Sequence, residues 1–274
     1  MPSAPAEISA TFPAEHLRIV LVGTQHPGNI GSAARAMKTM GVSRLVLVAP
    51  LQFPHPDAYA LAAGANEVLE AALRVETSAE AVADCRLVLG CTARSRRIAL
   101  EQLHPRQAAA QSMTVVRAGD EVALVFGRER TGLENDELQL CHAAVHIPAN
   151  PDYSSLNLAA AVQVLAYELR IAWFDALAEA PTAPLGASKA VGDRMEPPAT
   201  HAELEGFFSQ LAETLDAIDF HKGRTPATAM RKFRRLFLRA ELDARDVRLL
   251  RGMLADAKRM ADIADGRISH PRAP

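Results

Sequence analysis

Residues 17–35 read LRIVLVGTQHPGNIGSAAR: an apolar run from 17 to 23, a loop carrying Pro and Gly, and then a helical pattern. The run is nearly continuous in apolar residues where a half-exposed strand would alternate, the mark of a strand whose sheet is covered by helices on both faces. Four further runs share this character: 44–49 (RLVLVA), 86–90 (RLVLG), 121–126 (EVALVF) and 143–147 (AAVHI). Helical patterns lie between them over 29–40, 57–73, 78–84, 106–117 and 132–141. The alternation predicts an α/β domain built on a mostly parallel, doubly wound sheet with helices on both faces. Such sheets bind small molecules in the crevice beyond the carboxyl ends of their strands. Three strand-exit stretches therefore stand out: 24–35 (TQHPGNIGSAAR), 126–133 (FGRERTGL) and 147–157 (IPANPDYSSLN).

The 274 residues, 49% hydrophobic and 23% charged, suffice for one such domain and a smaller appendage. From Ser155 a long helix is expected, with Leu158, Val162, Leu165, Leu169 and Trp173 on one stripe that packs in the core or in part against a second subunit. Residues 179–200 (EAPTAPLGASKAVGDRMEPPAT) have no period and read as a linker between a domain at 17–178 and a small α-helical C-terminal domain at 201–274. In that tail, helices are expected over 201–218, 225–242 and 244–265, the second with Thr225 as N-cap and Pro226 at its first position. Residues 1–16 lack the basic start and apolar middle of a secretory signal and read as a flexible tail. No apolar run is long enough for a membrane span. Cys85, Cys91 and Cys141 are odd in number, without a C-x-x-C pair, which fits reduced thiols in a cytoplasmic protein and no zinc or other metal site.

With 30 Lys and Arg against 32 Asp and Glu, net charge offers no argument for nucleic acid. The local distribution does: residues 222–251 hold ten Lys and Arg against three Asp and Glu. Met230, Phe233, Phe237 and Ala240 fall on one side of the second tail helix, and Arg231, Arg235 and Arg239 line the other. Such a stripe is either a solvated face or a contact for a phosphate backbone. Within the first stretch, Gly23 and Gly28 have the glycine spacing of a P-loop, but Asn29 and Ile30 stand where Lys and Ser or Thr would be needed. What remains is a helix capped by Asn29, with Arg35 and Lys38 one turn apart as a solvated pair or a phosphate holder. In the second stretch Gly127 and Gly132 leave backbone groups open to a ligand, and Arg128 and Glu129 pair with each other or across a subunit boundary. In the third, Ser154 and Ser155 precede the long helix, as simple caps or as ligand-binding hydroxyls. No G-x-S-x-G, no H-E-x-x-H and no His pair at metal spacing occurs, and His26, His142 and His146 read as surface or strand residues.

Together the three stretches resemble the signature motifs of the SpoU branch of SPOUT RNA 2′-O-methyltransferases. Asn29, Gly31 and Arg35 match the first motif; Phe126, Gly127, Glu129, Gly132 and Leu133 the second; Ile147, Pro148, Ser155, Leu156 and Asn157 the third. The resemblance covers roughly residues 17–177. Further shared text (ARAMKTMG, ALAAGA, NPDYSSLNLA, VQVLAYE) is similar to a bacterial group acting on the ribose of nucleotide 32 in the tRNA anticodon loop; the same chemistry on ribosomal RNA is the alternative. The resemblance implies a trefoil knot at the sheet's C-terminal end, a homodimer, and S-adenosylmethionine as cofactor. It implies cofactor contacts at Cys91, Thr92, Ala93, Gly127, Ile147, Ser154, Ser155 and Leu156, with Cys91 standing where a hydroxyl residue is common. It nominates Arg35 as the catalytic residue with Asn29, Glu129, Ser155 and Asn157; the RNA contacts expected are Arg35, Arg94 and, from the basic stripe of the tail, Arg231, Arg235 and Arg239. A guanidinium keeps its proton in proteins, so the role expected of Arg35 is to clamp a phosphate and polarise the 2′-hydroxyl.

Overall fold

The computed structural model describes residues 12–92, 100–178, 196–222, 225–240, 242–265 and 267. They divide into two compact units, Met1–Leu185 and Gly186–Pro274. The first holds seven strands, β1 (Leu17–Val22), β2 (Arg44–Val48), β3 (Leu73–Val75), β4 (Leu87–Cys91), β5 (Glu101–Leu103), β6 (Val122–Phe126) and β7 (Ala143–Val145), all paired in parallel in the order β3-β2-β1-β6-β4-β7-β5. Its helices are α1 (Pro27–Met40), α2 (Pro56–Ala62), α3 (Asn66–Glu70), α4 (Ser78–Val82), α5 (Pro105–Arg117), α6 (Asn135–Gln139) and α7 (Leu158–Ala178).

Alternation within each strand explains the continuous apolar runs. Leu17, Ile19 and Leu21 of β1 join the core under α1, α5 and α7, where Ile30, Met37, Met113, Val162 and Leu165 are buried. Val20 and Val22 point to the other face and pack with Val46, Val88, Val125, Val82 of α4 and Leu138 of α6. Leu158, Val162, Leu165, Leu169 and Trp173 are all buried within this one protomer, so the stripe is core.

In the first unit five expectations need correction. The 57–73 pattern is two helices, because Ala63 and Gly64 take left-handed φ values of 46° and 91° that end the first. The 132–141 pattern is helical only over α6. The long helix starts at Leu158, three residues after Ser155. Residues 12–16 do not behave as a tail: Phe12 sets its ring edge-on to Trp173 at 6.3 Å, and Ala14–His16 form a 3-10 turn leading into β1. Finally, α1 starts with Pro27 at its first turn and His26 as N-cap, so Asn29 lies inside the helix and its carboxamide is free for tertiary contacts.

At the amino ends of the strands, the guanidinium of Arg18, 4% exposed, donates to Asp84 at 2.6 and 2.7 Å and to Glu121 at 2.7 Å, and also reaches Ala81 O at 3.1 Å. Glu121 accepts further from Arg44 and lies 3.2 Å from His16 Nδ1. Burial raises both carboxyls, but the Arg18 hydrogen bonds, joined at Glu121 by Arg44, outweigh it and hold Asp84 and Glu121 below their usual range.

The second unit contains α8 (His201–Ala217), α9 (Pro226–Arg239) and α10 (Ala244–Ala264) around Phe207, Phe208, Leu211, Leu215, Val247 and Leu254. Reciprocal capping boxes, Thr200 with Glu203 and Asp243 with Asp246, open α8 and α10. Residues 198 and 199, expected in the linker, belong to this packing: Ala199 is buried and its N–H donates to Leu242 O at 3.0 Å. Met230, Phe233 and Phe237 of α9 lean on the core as expected, but Ala240 is an exposed C-cap.

Candidate active site

Beyond the carboxyl ends of β4, β6 and β7 lies a cavity of about 350 Å³. Cys91 at the end of β4 and Thr92 after it line the cavity, with residues 127–132 after β6, and Ile147 with residues 152–156 after β7. Phe126, Val145, Ile147, Leu156 and Leu158 supply apolar walls. The loop after β6 is a tight hairpin in which Arg128 and Gly132 exchange N–H···O bonds of 3.2 and 2.8 Å. A Cβ at Gly127 would stand 2.1 Å from the Gly132 carbonyl carbon, so only glycine permits this closure. Gly31 serves packing: a Cβ there would lie 1.9 Å from Ala58 O, which lets α1 and α2 meet backbone to backbone.

The three motif stretches are tied together by one directed chain of hydrogen bonds. Glu129 accepts from Gln25 N–H at 3.1 Å, His26 N–H at 3.2 Å and Asn29 Nδ2 at 2.9 Å. With its amide nitrogen committed to Glu129, Asn29 turns its Oδ1 to Asn157 Nδ2 at 3.0 Å. Asn157 Oδ1 in turn accepts Ala159 N–H at 2.9 Å and caps α7. The carboxylate thus sets the orientation of both amides. Burial pushes the Glu129 carboxyl up, but the hydrogen bonds from Asn29 and the Gln25 and His26 backbone prevail and hold it below the usual carboxylate range.

Two pairings differ from expectation. Arg128 does not pair with Glu129; it donates to Glu137 of α6 at 2.9 and 3.1 Å, with Glu134 at 3.5 Å. The cap of α7 is Asn157, which leaves the Ser154 and Ser155 hydroxyls to the cavity they line. Arg35 and Lys38 also part company. Lys38 is held by Gly64 O and Glu67, whereas Arg35 is exposed and its side chain makes no bond with any described residue. Of the expected cofactor contacts, Cys91, Thr92, Gly127, Ile147, Ser154, Ser155 and Leu156 line the cavity; Ala93, like the expected RNA contact Arg94, lies outside the described residues. Burial raises the Cys91 thiol far above its usual value, so it stays protonated. His142 Nδ1 accepts Val88 N–H at 3.1 Å at a strand end, and His26 is exposed. No three His, Cys, Asp or Glu among the described residues are grouped to hold a metal, and no described helix is long and apolar enough to cross a membrane.

In the second unit the basic stripe divides. Arg234 pairs with Glu205 and lies 4.5 Å over the Phe208 ring, and Arg248 pairs with Glu196, so both are structural. Arg231, Arg235 and Arg239 are exposed on α9 and make no ion pair with a described residue.

Residues 16–167 match the SpoU rRNA Methylase family model, and residues 202–266 match that of the tRNA methyltransferase TrmJ C-terminal domain. A tRNA (cytidine/uridine/adenosine-2'-O-)-methyltransferase TrmJ from Pseudomonas aeruginosa is 47% identical over 249 residues, 90% of this chain and 95% of that one. A tRNA (cytidine/uridine-2'-O-)-methyltransferase TrmJ from Klebsiella pneumoniae is 49% identical over 241 residues, 88% of this chain and 96% of the relative. The crystal structure of TrmJ from Z. mobilis superposes with a TM-score of 0.73 at 36% identity, covering 87% of this chain and 97% of that one. A cavity lined by the second and third motif stretches and tied to the first through Glu129, Asn29 and Asn157, followed by a three-helix unit that matches the TrmJ tail, places this chain in the SpoU methylase family, among the TrmJ methyltransferases.

Proposed function

We propose that this protein methylates the ribose 2′-hydroxyl of nucleotide 32 in the tRNA anticodon loop, with S-adenosylmethionine as methyl donor, in the cytoplasm. The observation that carries this reading is that the two motif stretches lining the cavity are tied to the remaining one by the Glu129–Asn29–Asn157 chain. The cavity fits the cofactor: apolar walls at Phe126, Val145, Ile147 and Leu156 suit an adenine face, and the Thr92, Gly127 and Ser154–Leu156 backbone can meet its polar edges. When bound there, S-adenosylmethionine supplies a methyl group made electrophilic by its sulfonium.

The residues do the rest by placement. Orienting the 2′-oxygen in line with the methyl can supply on the order of 7 to 11 kcal/mol. Arg35, exposed and uncommitted, clamps the phosphate beside the target ribose and stabilises charge growing on the 2′-oxygen. Ser155 shapes the ribose side of the cavity. Glu129 accepts three hydrogen bonds and is held anionic, which makes it a weak base; it positions Asn29, and through it Asn157 and the start of α7.

The stretch 147–157 is read as the tucked end of a trefoil knot, because β7, which leads into it, is inserted between the earlier strands β4 and β5. The protein acts as a homodimer through the outer face of α7, where Tyr167 and Phe174 are exposed opposite the buried stripe. Arg231, Arg235 and Arg239 meet the tRNA backbone. Tritium transfer from labelled S-adenosylmethionine to total tRNA and to ribosomal RNA, followed by mapping of the methylated ribose, tests the activity. Label at nucleotide 32 of tRNA is expected; label confined to ribosomal RNA overturns the substrate, and absence of label overturns the activity. Sedimentation should give twice the chain mass, and a fully active monomer would remove the dimer.

A further inference from the structure

Two residues on the rim of the cavity have no part in the chemistry above. Tyr153 is 83% exposed, the most of any large hydrophobic side chain among the described residues. Its position is built locally: Tyr153 N–H donates to Asn150 O at 2.9 Å and Asp152 N–H to Asn150 Oδ1 at 3.0 Å, closing a turn with Pro151 at its second place. Arg130 sits at the centre of the three-residue tip of the 128–132 hairpin. The tip's two charges diverge, Glu129 turning to Asn29 and Arg130 to solvent. Both Tyr153 and Arg130 line the cavity.

The charges around the cavity set Arg130 apart. Arg128 is engaged by Glu137 and Glu134, and Glu129 by the loop after β1. The Arg130 side chain makes no ion pair or hydrogen bond with any described residue, Asp152 of the same cavity lining included. An aromatic ring left in water adds little to folding, since its surface is not buried. An aromatic face and a free guanidinium on one rim are what a splayed nucleotide requires, the base stacking on the ring and the phosphate meeting the cation. A small anionic ligand would account for Arg130 and leave Tyr153 idle.

We propose that Tyr153 and Arg130 form a lip that receives the target nucleotide, its base stacked on the Tyr153 ring and an adjacent phosphate held by Arg130, so that its ribose faces the cavity. This rests on the function proposed above and adds the residues that capture the substrate. The lip acts before the chemical step. Its loss therefore falls on KM for tRNA, whereas loss of Arg35 falls on kcat.

The test is steady-state methylation of full-length tRNA by the full chain, with cofactor affinity measured by calorimetry. Tyr153→Ala is expected to lose about 10- to 100-fold in kcat/KM, the range for one stacked base. Tyr153→Phe and Tyr153→Trp keep a stacking face and should stay within about threefold of the parent. Arg130→Ala should lower the log-log salt slope of tRNA binding by about 0.7, one single-strand phosphate contact. Cofactor affinity should hold in all four. Unchanged kcat/KM in Tyr153→Ala, a Tyr153→Phe variant as impaired as Tyr153→Ala, or cofactor affinity falling in step with turnover overturns the lip. A parent protein that methylates no tRNA removes the proposed function and the lip together; a parent that methylates tRNA no better than Tyr153→Ala removes the lip alone.

Discussion

The two ends of the parallel sheet carry polar networks of opposite design. At the amino ends, Arg18 sits between Asp84 and Glu121, Arg44 and His16 close on Glu121, and the cations and anions are matched in place. At the carboxyl ends, one carboxylate organises two neutral amides, while the side chains of Arg130, Ser154 and Ser155 on the cavity, and of Arg35 on α1, have no partner among the described residues. A network of matched charges holds elements together. A network that orders its own members and leaves donors over is arranged for something that arrives later. The same division separates the arginines of α9, where Arg234 is locked to Glu205 and Arg231, Arg235 and Arg239 are not.

Substitutions at each end should therefore fail differently, and the contrast breaks if they fail alike. The largest effect is expected at Arg35. Arg35→Ala should reduce kcat by about 10² to 10³, the scale for removing one preorganised donor. Arg35→Lys should recover little, because an ammonium lacks the planar fork, and neither variant should change cofactor affinity or urea midpoint. Recovery of near-parent turnover by Lys would reduce the role of Arg35 to simple charge.

At the other end, Arg18→Met should cost about 3 kcal/mol in urea unfolding, the low end for stripping one partner from a buried ion pair, since Asp84 remains 59% exposed. Turnover per folded molecule should be retained. The pH dependence follows from the lowered Asp84 and Glu121 carboxyls. Their contribution is complete above the ordinary values of 3.8 and 4.5 and is lost as pH falls through the lower folded values. Urea midpoints followed below pH 5 should thus fall more steeply for the parent than for Arg18→Met; parallel curves would show that the cluster contributes nothing through its charge.

Glu129→Gln should be milder, about tenfold in kcat/KM, because the new amide presents donors to Asn29 Nδ2 and to the Gln25 and His26 N–H groups and releases the orientation of both asparagines. A drop confined to kcat/KM with an unchanged pH profile supports positioning; loss of the acidic limb of the profile would instead make Glu129 a base. Smallest per residue is the tail. Changing Arg231, Arg235 and Arg239 together to Ala should flatten the log-log salt dependence of tRNA binding by about 0.7 to 0.9 per contact. Arg234→Ala should lower stability and leave that slope alone.

The strands with continuous apolar runs were legible because both faces of each are buried. The edge strands were not: β3 is LRV with Leu73 exposed, and β5 is EQL with Glu101 and Gln102 exposed, three residues each with no buried run to announce them. The site was legible as three motifs in order. Its internal chemistry was not, since Glu129 and Asn29 are 100 residues apart and no periodicity reports a contact of that span. The helix-cap reading of Asn29 failed because Pro27 starts α1 two residues earlier. Tyr153 and Arg130 were overlooked although both lay inside quoted stretches. An aromatic in an Asn-Pro-Asp turn, where folding has no use for it, was the available signal.

The placement of β7 has a consequence for how the chain assembles. It is the last strand to be synthesised, yet it lies between β4 and β5, and among the described residues β5 pairs with no other strand. Until residues 143–145 emerge, β5 has nothing to join and β4 has one bare edge, so the sheet cannot close progressively from the amino terminus. Contacts this distant in sequence slow folding and prolong the exposure of unpaired edges. The cofactor cavity, which draws on the exits of β4, β6 and β7, therefore comes into existence late, and no chain that stops short of β7 can hold it.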